Sequence, residues 1–122
     1  MSDIPCSDPA PHLGTWRGES KECVALVKDL GDNMRNFATP NWVRGSHVES
    51  NKTTIAQFTA IATFEAPNDK YKGHAAILDK CDSTGIWVYD QWSTQPVNRR
   101  CLRWGNPNGV SNNGSKFYTI RR

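Results

Sequence analysis

Three residues in this sequence have the types needed for thiol-based hydrolysis: Cys23, His74 and Asp90. A thiolate attacks a carbonyl carbon, an imidazole takes and returns the proton, and a carboxylate fixes the ring tautomer. The surroundings of each bear on that chemistry. Ser20 to Leu30 reads as a helix, with Ser20 as N-cap, Glu22 in the positive first turn and Gly31 as the C-terminal stop. Cys23 is then the third helical residue, counting Lys21 as the first. Free N–H groups and the positive dipole end favour the thiolate there, although a first-turn cysteine is also ordinary structural material. His74 opens the run Gly73-His74-Ala75-Ala76-Ile77-Leu78. A bare strand would prefer β-branched residues beside it. Small neighbours let another group approach the ring.

Asp90 sits in Ile86-Trp87-Val88-Tyr89-Asp90-Gln91-Trp92. Alternation puts it on one face with Ile86, Val88 and Trp92, where an unpaired acid is costly. A hairpin turn centred on Asp82 would set Leu78 opposite Ile86, Ala76 opposite Val88 and His74 opposite Asp90. Directly opposed Cβ atoms lie ~4.5–5.5 Å apart, within reach of an imidazole–carboxylate hydrogen bond. A slip of one residue would turn one strand's set to the other face.

Other elements must position these groups. Residues 1–19 are rich in Pro and Gly and read as an irregular arm. Residues 32–57 are mixed and polar, with a turn or short helix start at Thr39-Pro40-Asn41-Trp42. Strand-like runs follow at Thr59–Phe64, Gly73–Leu78, Ile86–Trp92, Val97–Trp104 and Lys116–Ile120, separated by Pro, Gly, Asn and Asp breakers. One helix followed by consecutive antiparallel strands is an α+β layout.

The 122 residues make one domain. Fifteen Lys and Arg against twelve Asp and Glu give +3, without the dense basic stripe of a duplex-binding domain. No apolar run nears the ~18 residues of a membrane span. Met1-Ser2-Asp3-Ile4-Pro5 opens no secretory signal, so export by a route without a cleaved leader, retention in the cytosol or a removed leader all fit. The cysteines stand at 6, 23, 81 and 101, with no Cys-x-x-Cys pair, so no metal and no cofactor are expected. Cys81 and Cys101 flank consecutive strands and could form a disulfide, Cys6 could pair with either, or all could be free thiols. Of five tryptophans most should be core, while Trp42 and Trp92 adjoin polar loops and could flank a substrate cleft. His12 and His47 lack matching partners and read as exposed. Arg99, Arg100, Arg103, Arg121 and Arg122 read as solvated, or as an attraction for an anionic polymer.

Four stretches carry a resemblance: Glu22-Cys23-Val24-Ala25-Leu26-Val27-Lys28, Thr59-Ala60-Ile61-Ala62-Thr63-Phe64, Gly73-His74-Ala75-Ala76-Ile77 and Val88-Tyr89-Asp90-Gln91-Trp92. They resemble the NlpC/P60 and CHAP papain-like peptidoglycan hydrolases, and more narrowly the second family of type VI secretion amidase effectors. The similar stretch runs from about residue 14 to 104. The resemblance implies a papain-like α+β fold with the nucleophile helix packed on an antiparallel sheet. It implies Cys23, His74 and Asp90 as catalytic residues, with the Cys23 backbone N–H in the oxyanion hole. It implies cleavage of murein stem peptides at the bond between D-Ala and meso-diaminopimelate, as a monomer acting in a target-cell periplasm, and inhibition by a cognate immunity protein. No nucleic acid and no membrane insertion are expected. Two positions depart from the pattern: Lys21 and Glu22 precede Cys23 where these families often have Gly, and Arg17 occupies the site of papain's oxyanion glutamine. The second oxyanion donor is therefore unassigned. A wall-binding module without catalysis is the competing reading from another class, and a small basic nucleic-acid binder a third.

Overall fold

The computed structural model describes residues 1–122. One helix, α1 (Cys23–Leu30), lies on a six-stranded antiparallel sheet. The strands are β1 (Val43–His47), β2 (Ala60–Glu65), β3 (Lys70–Cys81), β4 (Gly85–Trp92), β5 (Gln95–Arg103) and β6 (Phe117–Arg121). Their spatial order is β1-β6-β2-β3-β4-β5, so the chain's last strand enters between the first two. Each of the five expected runs overlaps a strand, and β1 is an addition. Its sequence, Val-Arg-Gly-Ser-His, has little apolar alternation because it is an edge strand paired only with β6.

Alternation along the strands divides the apolar residues between two cores. Ala60, Ala62, Ala75, Ile77 and Tyr89 face the helix side with Leu26, Val27 and Leu30. Ile61, Ala76, Leu78, Ile86, Val88, Leu102 and Phe117 fill the opposite face. The alanines on the helix side are fully buried and leave room for α1 to lie close to β3.

Two expected boundaries are corrected. The N-cap is Glu22 rather than Ser20, and Cys23 is the first helical residue rather than the third. Ser20 acts two residues earlier, its Oγ accepting the Glu22 N–H at 3.2 Å. Gly31 ends the helix as expected, its N–H donating to the Val27 carbonyl at 2.8 Å.

The β3–β4 hairpin also differs. Asp82 folds back on itself, its Oδ1 accepting the Thr84 and Gly85 N–H groups at 2.8 and 3.2 Å. The turn therefore centres between Ser83 and Thr84, with Cys81 facing Ile86, and toward His74 the pairing is displaced by two from the expected one. Leu78 faces Val88 and Ile77 faces Tyr89, with a bulge between Leu78 and Lys80. A shift of two preserves the face of every side chain. His74 and Asp90 thus keep a common side but stand diagonally rather than directly opposite.

The N-terminal arm is irregular but not loose. Ile4 is buried in the helix-side core. Asp3 bridges Arg121, Pro5 bridges Thr59 and Cys6 bridges Gly31.

Candidate active site

Cys23 reaches the sheet because it opens the helix. At this position its N–H has no partner one turn back, and the helix offers its positive end. The segment leading to it is held from below. Gln91 is fully buried on β4. Its amide donates to the carbonyls of Arg17 and Glu22, both at 2.9 Å, and its Oε1 accepts the Arg17 N–H at 2.8 Å. Gly18, with φ +93°, lies against the Ala25 backbone, leaving no room for a Cβ.

A bulge sets His74. Gly73 adopts φ +111°, where glycine is favoured, and a Cβ there would stand 2.5 Å from Thr63 Oγ1. Thr63 Oγ1 instead accepts the His74 N–H at 3.0 Å and donates to the Lys72 carbonyl. The β2–β3 pairing shifts at this point, between Ala62 and Phe64. The expected space beside His74 is therefore used by the backbone at Gly73, and by α1 over Ala75.

His74 Nε2 bonds Asp90 Oδ2 at 2.7 Å, with both side chains buried. Nδ1 remains for the thiol. Asp90 is held in turn by Asn98, whose Nδ2 donates to Oδ1 at 3.0 Å. Arg100 donates to Oδ2 from Nε and Nη2 at 2.9 and 2.8 Å. Arg100 also donates to Asn112 Oδ1 at 2.8 Å and lies over the Trp92 ring at 4.8 Å. The residues that brace Asp90, together with Gln91 and Tyr71, are absent from the expected set. For Arg100 the expectation of a solvated side chain is corrected. Arg99, Arg121 and Arg122 likewise pair with Asp79, Asp3 and Asp32.

The pKa values of Cys23 and His74 shift in opposite directions. Burial works against the Cys23 thiolate. The hydrogen bond and charge of His74, the Tyr71 hydroxyl and the Ala75 N–H outweigh it and lower the Cys23 pKa. Burial also works against the imidazolium. The hydrogen bond that His74 donates to Asp90 and the nearby Cys23 overcome it and raise the His74 pKa to about 9. The Cys23 thiolate and the His74 imidazolium therefore stabilise one another.

A groove of about 710 Å3 opens on Cys23, lined by Gly18, Ser20, Glu22, Val24, Tyr71 and Gly73. Glu19, Lys28, Asp29 and Arg35 bring charge to its lining. Neither tryptophan expected there lines it. Trp42 is 2% exposed, donates to the Phe37 carbonyl and packs edge-on against Tyr71 at 4.9 Å. Trp92 packs behind the site, its ring 6.4 Å from that of His74. Sequence reasoning took their polar neighbours for a cleft, whereas both rings brace the groups that form it.

Of the alternatives for the other cysteines, free thiols hold, and the expectation for His47 is corrected. Cys81 and Cys101 are free and lie on β3 and β5, with β4 between them. Two strand spacings separate them by ~9–10 Å, beyond the ~7 Å limit for a disulfide. His47 is not free of partners: Nδ1 bonds Ser50 Oγ at 2.7 Å and Nε2 meets the Ser115 carbonyl at 2.6 Å.

Comparison with known proteins places this geometry in a family. The model of the family described as "Domesticated amidase effector 2" matches residues 1–120. A protein of that description from Ixodes scapularis is 56% identical over 119 residues, covering 96% of this chain and 84% of the relative. A type VI secretion amidase effector 2 protein from Salmonella typhi is 33% identical over 105 residues, covering 80% of this chain and 76% of that one. The solved structure of a type 6 secretion amidase effector 2 (Tae2) superposes with a TM-score of 0.76 at 26% identity. It covers 95% of this chain and 93% of its own. The fold, a helix on one antiparallel sheet, is shared, and the chain belongs to the domesticated amidase effector 2 family.

Proposed function

We propose that this protein is a cysteine amidase of bacterial peptidoglycan. The observation that carries the proposal is the placement of Cys23 at an open helix start beside a His74 held by Asp90, in a chain of an amidase-effector family. The helix seated on an antiparallel sheet supports the papain-like, NlpC/P60-type reading. The Cys23 thiolate attacks the amide carbon, and the Cys23 N–H stabilises the oxyanion. His74 gives its proton to the leaving amine, and a water activated by His74 then opens the thioester. Asp90 holds the ring and stabilises its charge.

The scissile bond in this proposal is the crosslink between D-Ala and meso-diaminopimelate. The diaminopimelate residues beside that amide carry carboxylates and free amines, and the groove offers Lys28 and Arg35 to a carboxylate, and Glu19 and Glu22 to an amine. The substrate lies outside the bacterial cytoplasmic membrane, so the proposed place of action is the target-cell periplasm or wall, reached by secretion. No helix is long and apolar enough to cross a membrane. For bacterial relatives of the effector type, a cognate immunity protein that plugs the groove is the proposed partner.

The test is mass spectrometry of purified murein digested by wild type and by Cys23→Ala. Wild type should release stem fragments with the crosslink opened, and Cys23→Ala should release none. Intact murein bound by both proteins would indicate a binding module on the same scaffold. Cleavage at another stem bond would retain the amidase and change its specificity.

A further inference from the structure

The hydrolase reading assigns no chemical step to the hydroxyl nearest the sulfur. The Tyr71 hydroxyl lies 3.5 Å from Cys23 Sγ. It enters the site from β3, three residues ahead of His74. Its ring is fixed edge-on against the buried Trp42, with centroids 4.9 Å apart. Trp42 is itself locked by its Nε1 donating to the Phe37 carbonyl at 2.9 Å. The phenol therefore points at the sulfur from a rigid support.

A tetrahedral intermediate needs more than one donor aimed at its oxygen. The Cys23 N–H supplies one. Arg17, at the position where papain carries its glutamine, is engaged with Asp29 at 3.0 Å. It does not line the groove. Gln91 is fully engaged with the Arg17 and Glu22 backbone. Among side chains at the sulfur, the Tyr71 hydroxyl is the remaining neutral donor.

We infer that Tyr71 is a catalytic residue whose hydroxyl is the second oxyanion donor. The inference rests on the thiol-hydrolase reading. The Cys23 thiolate forms the S–C bond, and the carbonyl π pair moves onto oxygen. That oxygen accepts hydrogen bonds from the Cys23 N–H and the Tyr71 O–H. On collapse the C=O bond reforms, the C–N bond breaks and the His74 proton goes to the leaving amine. Water, giving a proton to His74, attacks the thioester. The second intermediate uses the same two donors before the S–C bond breaks and Cys23 leaves as thiolate. Tyr71 keeps its proton throughout. Burial, and then the negative charges at Cys23 and Glu22, push its pKa above the ordinary phenol value. Without substrate the hydroxyl faces the sulfur, and the carbonyl oxygen takes that place on binding.

Tyr71→Phe removes the hydroxyl and keeps the ring against Trp42. Two rates are measured across pH for wild type and variant: turnover of crosslinked murein fragments, and alkylation of Cys23 by iodoacetamide. Alkylation displaces iodide and forms no oxyanion, so it reads the thiolate alone. At pH values where the thiol is ionised in both proteins, turnover should still fall about 10²–10³-fold, in kcat, by a ratio that stays constant with pH. The alkylation rate of the ionised thiol should not change. A turnover deficit that disappears as the thiol ionises would make Tyr71 a thiolate stabiliser and overturn the inference. Unchanged turnover would overturn it outright. Cys23→Ala serves as the separating control. Activity remaining in that variant defeats the hydrolase reading, whereas full activity in Tyr71→Phe with none in Cys23→Ala defeats only the role of Tyr71.

Discussion

A cysteine meets each end of helix α1, and the two thiols are tuned in opposite directions. Cys23 begins the helix. Cys6 bridges Gly31 at its other end. Both are largely enclosed by protein. Cys6 has no polar side chain against its sulfur, and burial pushes its pKa up to about 12. Burial also works against the Cys23 thiolate, yet its pKa falls because His74, Tyr71 and the Ala75 N–H surround it. Burial alone silences a thiol. Burial combined with a cation and donors makes a nucleophile. The difference lies less in the cysteines than in β3, which delivers Tyr71, His74 and Ala75 to one end of the helix.

The strongest way to break this comparison is to exchange the fates of the two thiols. Cys23→Ala and His74→Ala should each cost about 10⁴–10⁶-fold in murein turnover, since thiolate and base act as a unit. Cys6→Ala should leave turnover within about twofold, the usual outcome when a group away from the chemistry is removed. Turnover on defined fragments is the measurement, and equal losses from Cys6→Ala would dissolve the contrast.

Next in size is Asp90→Asn. Turnover should fall by about 10²–10⁴-fold, because the ring loses its orienting carboxylate. The structure adds a second effect. Arg100 would lose its ion pair with a buried partner, so the thermal midpoint should fall too. The pH profile sharpens the point. Activity needs Cys23 deprotonated and His74 protonated, so it should rise on the acid side as the lowered thiol ionises. It should decline through about pH 9 as His74 loses its proton. In Asp90→Asn that basic limb should move to lower pH.

Smaller effects should come from the scaffold. Gln91→Ala leaves the backbone of Arg17 and Glu22 without buried partners, costing about 1–3 kcal/mol by chemical denaturation. Turnover should fall about tenfold, the order expected when the nucleophile's approach is loosened. Gly73→Ala forces a positive-φ residue against Thr63, costing about 1–3 kcal/mol by the same measurement.

Much of this site was readable because it depends on parity. The alternation of Ile86, Val88 and Asp90 survives a two-residue error in register, so the His74–Asp90 pair emerged despite a misplaced turn. The helix emerged from its apolar spacing and its Gly31 stop. Tyr71, Asn98 and Arg100 did not emerge. Tyr71 stands across the Gly73 bulge from His74, and no period links residues on two sides of a bulge. Asn98 and Arg100 meet Asp90 from a neighbouring strand, through a register that depends on the short turn after Trp92. β1 was hidden because an edge strand of polar residues and glycine carries no alternation. The expected disulfide failed for a related reason. Cys81 and Cys101 flank β4 in sequence, and that whole strand also lies between them in space.

The central claim is that the end of α1 holding His74 activates its cysteine, and the most direct measurement is site-resolved alkylation. Wild-type protein is treated with limiting iodoacetamide near neutral pH, and labelling is mapped by peptide mass spectrometry against residual murein hydrolysis. Cys23 should be modified first, with activity falling in step, while Cys6 stays unlabelled until the protein unfolds. Labelling of Cys6 ahead of Cys23, or full activity with Cys23 blocked, would contradict the account.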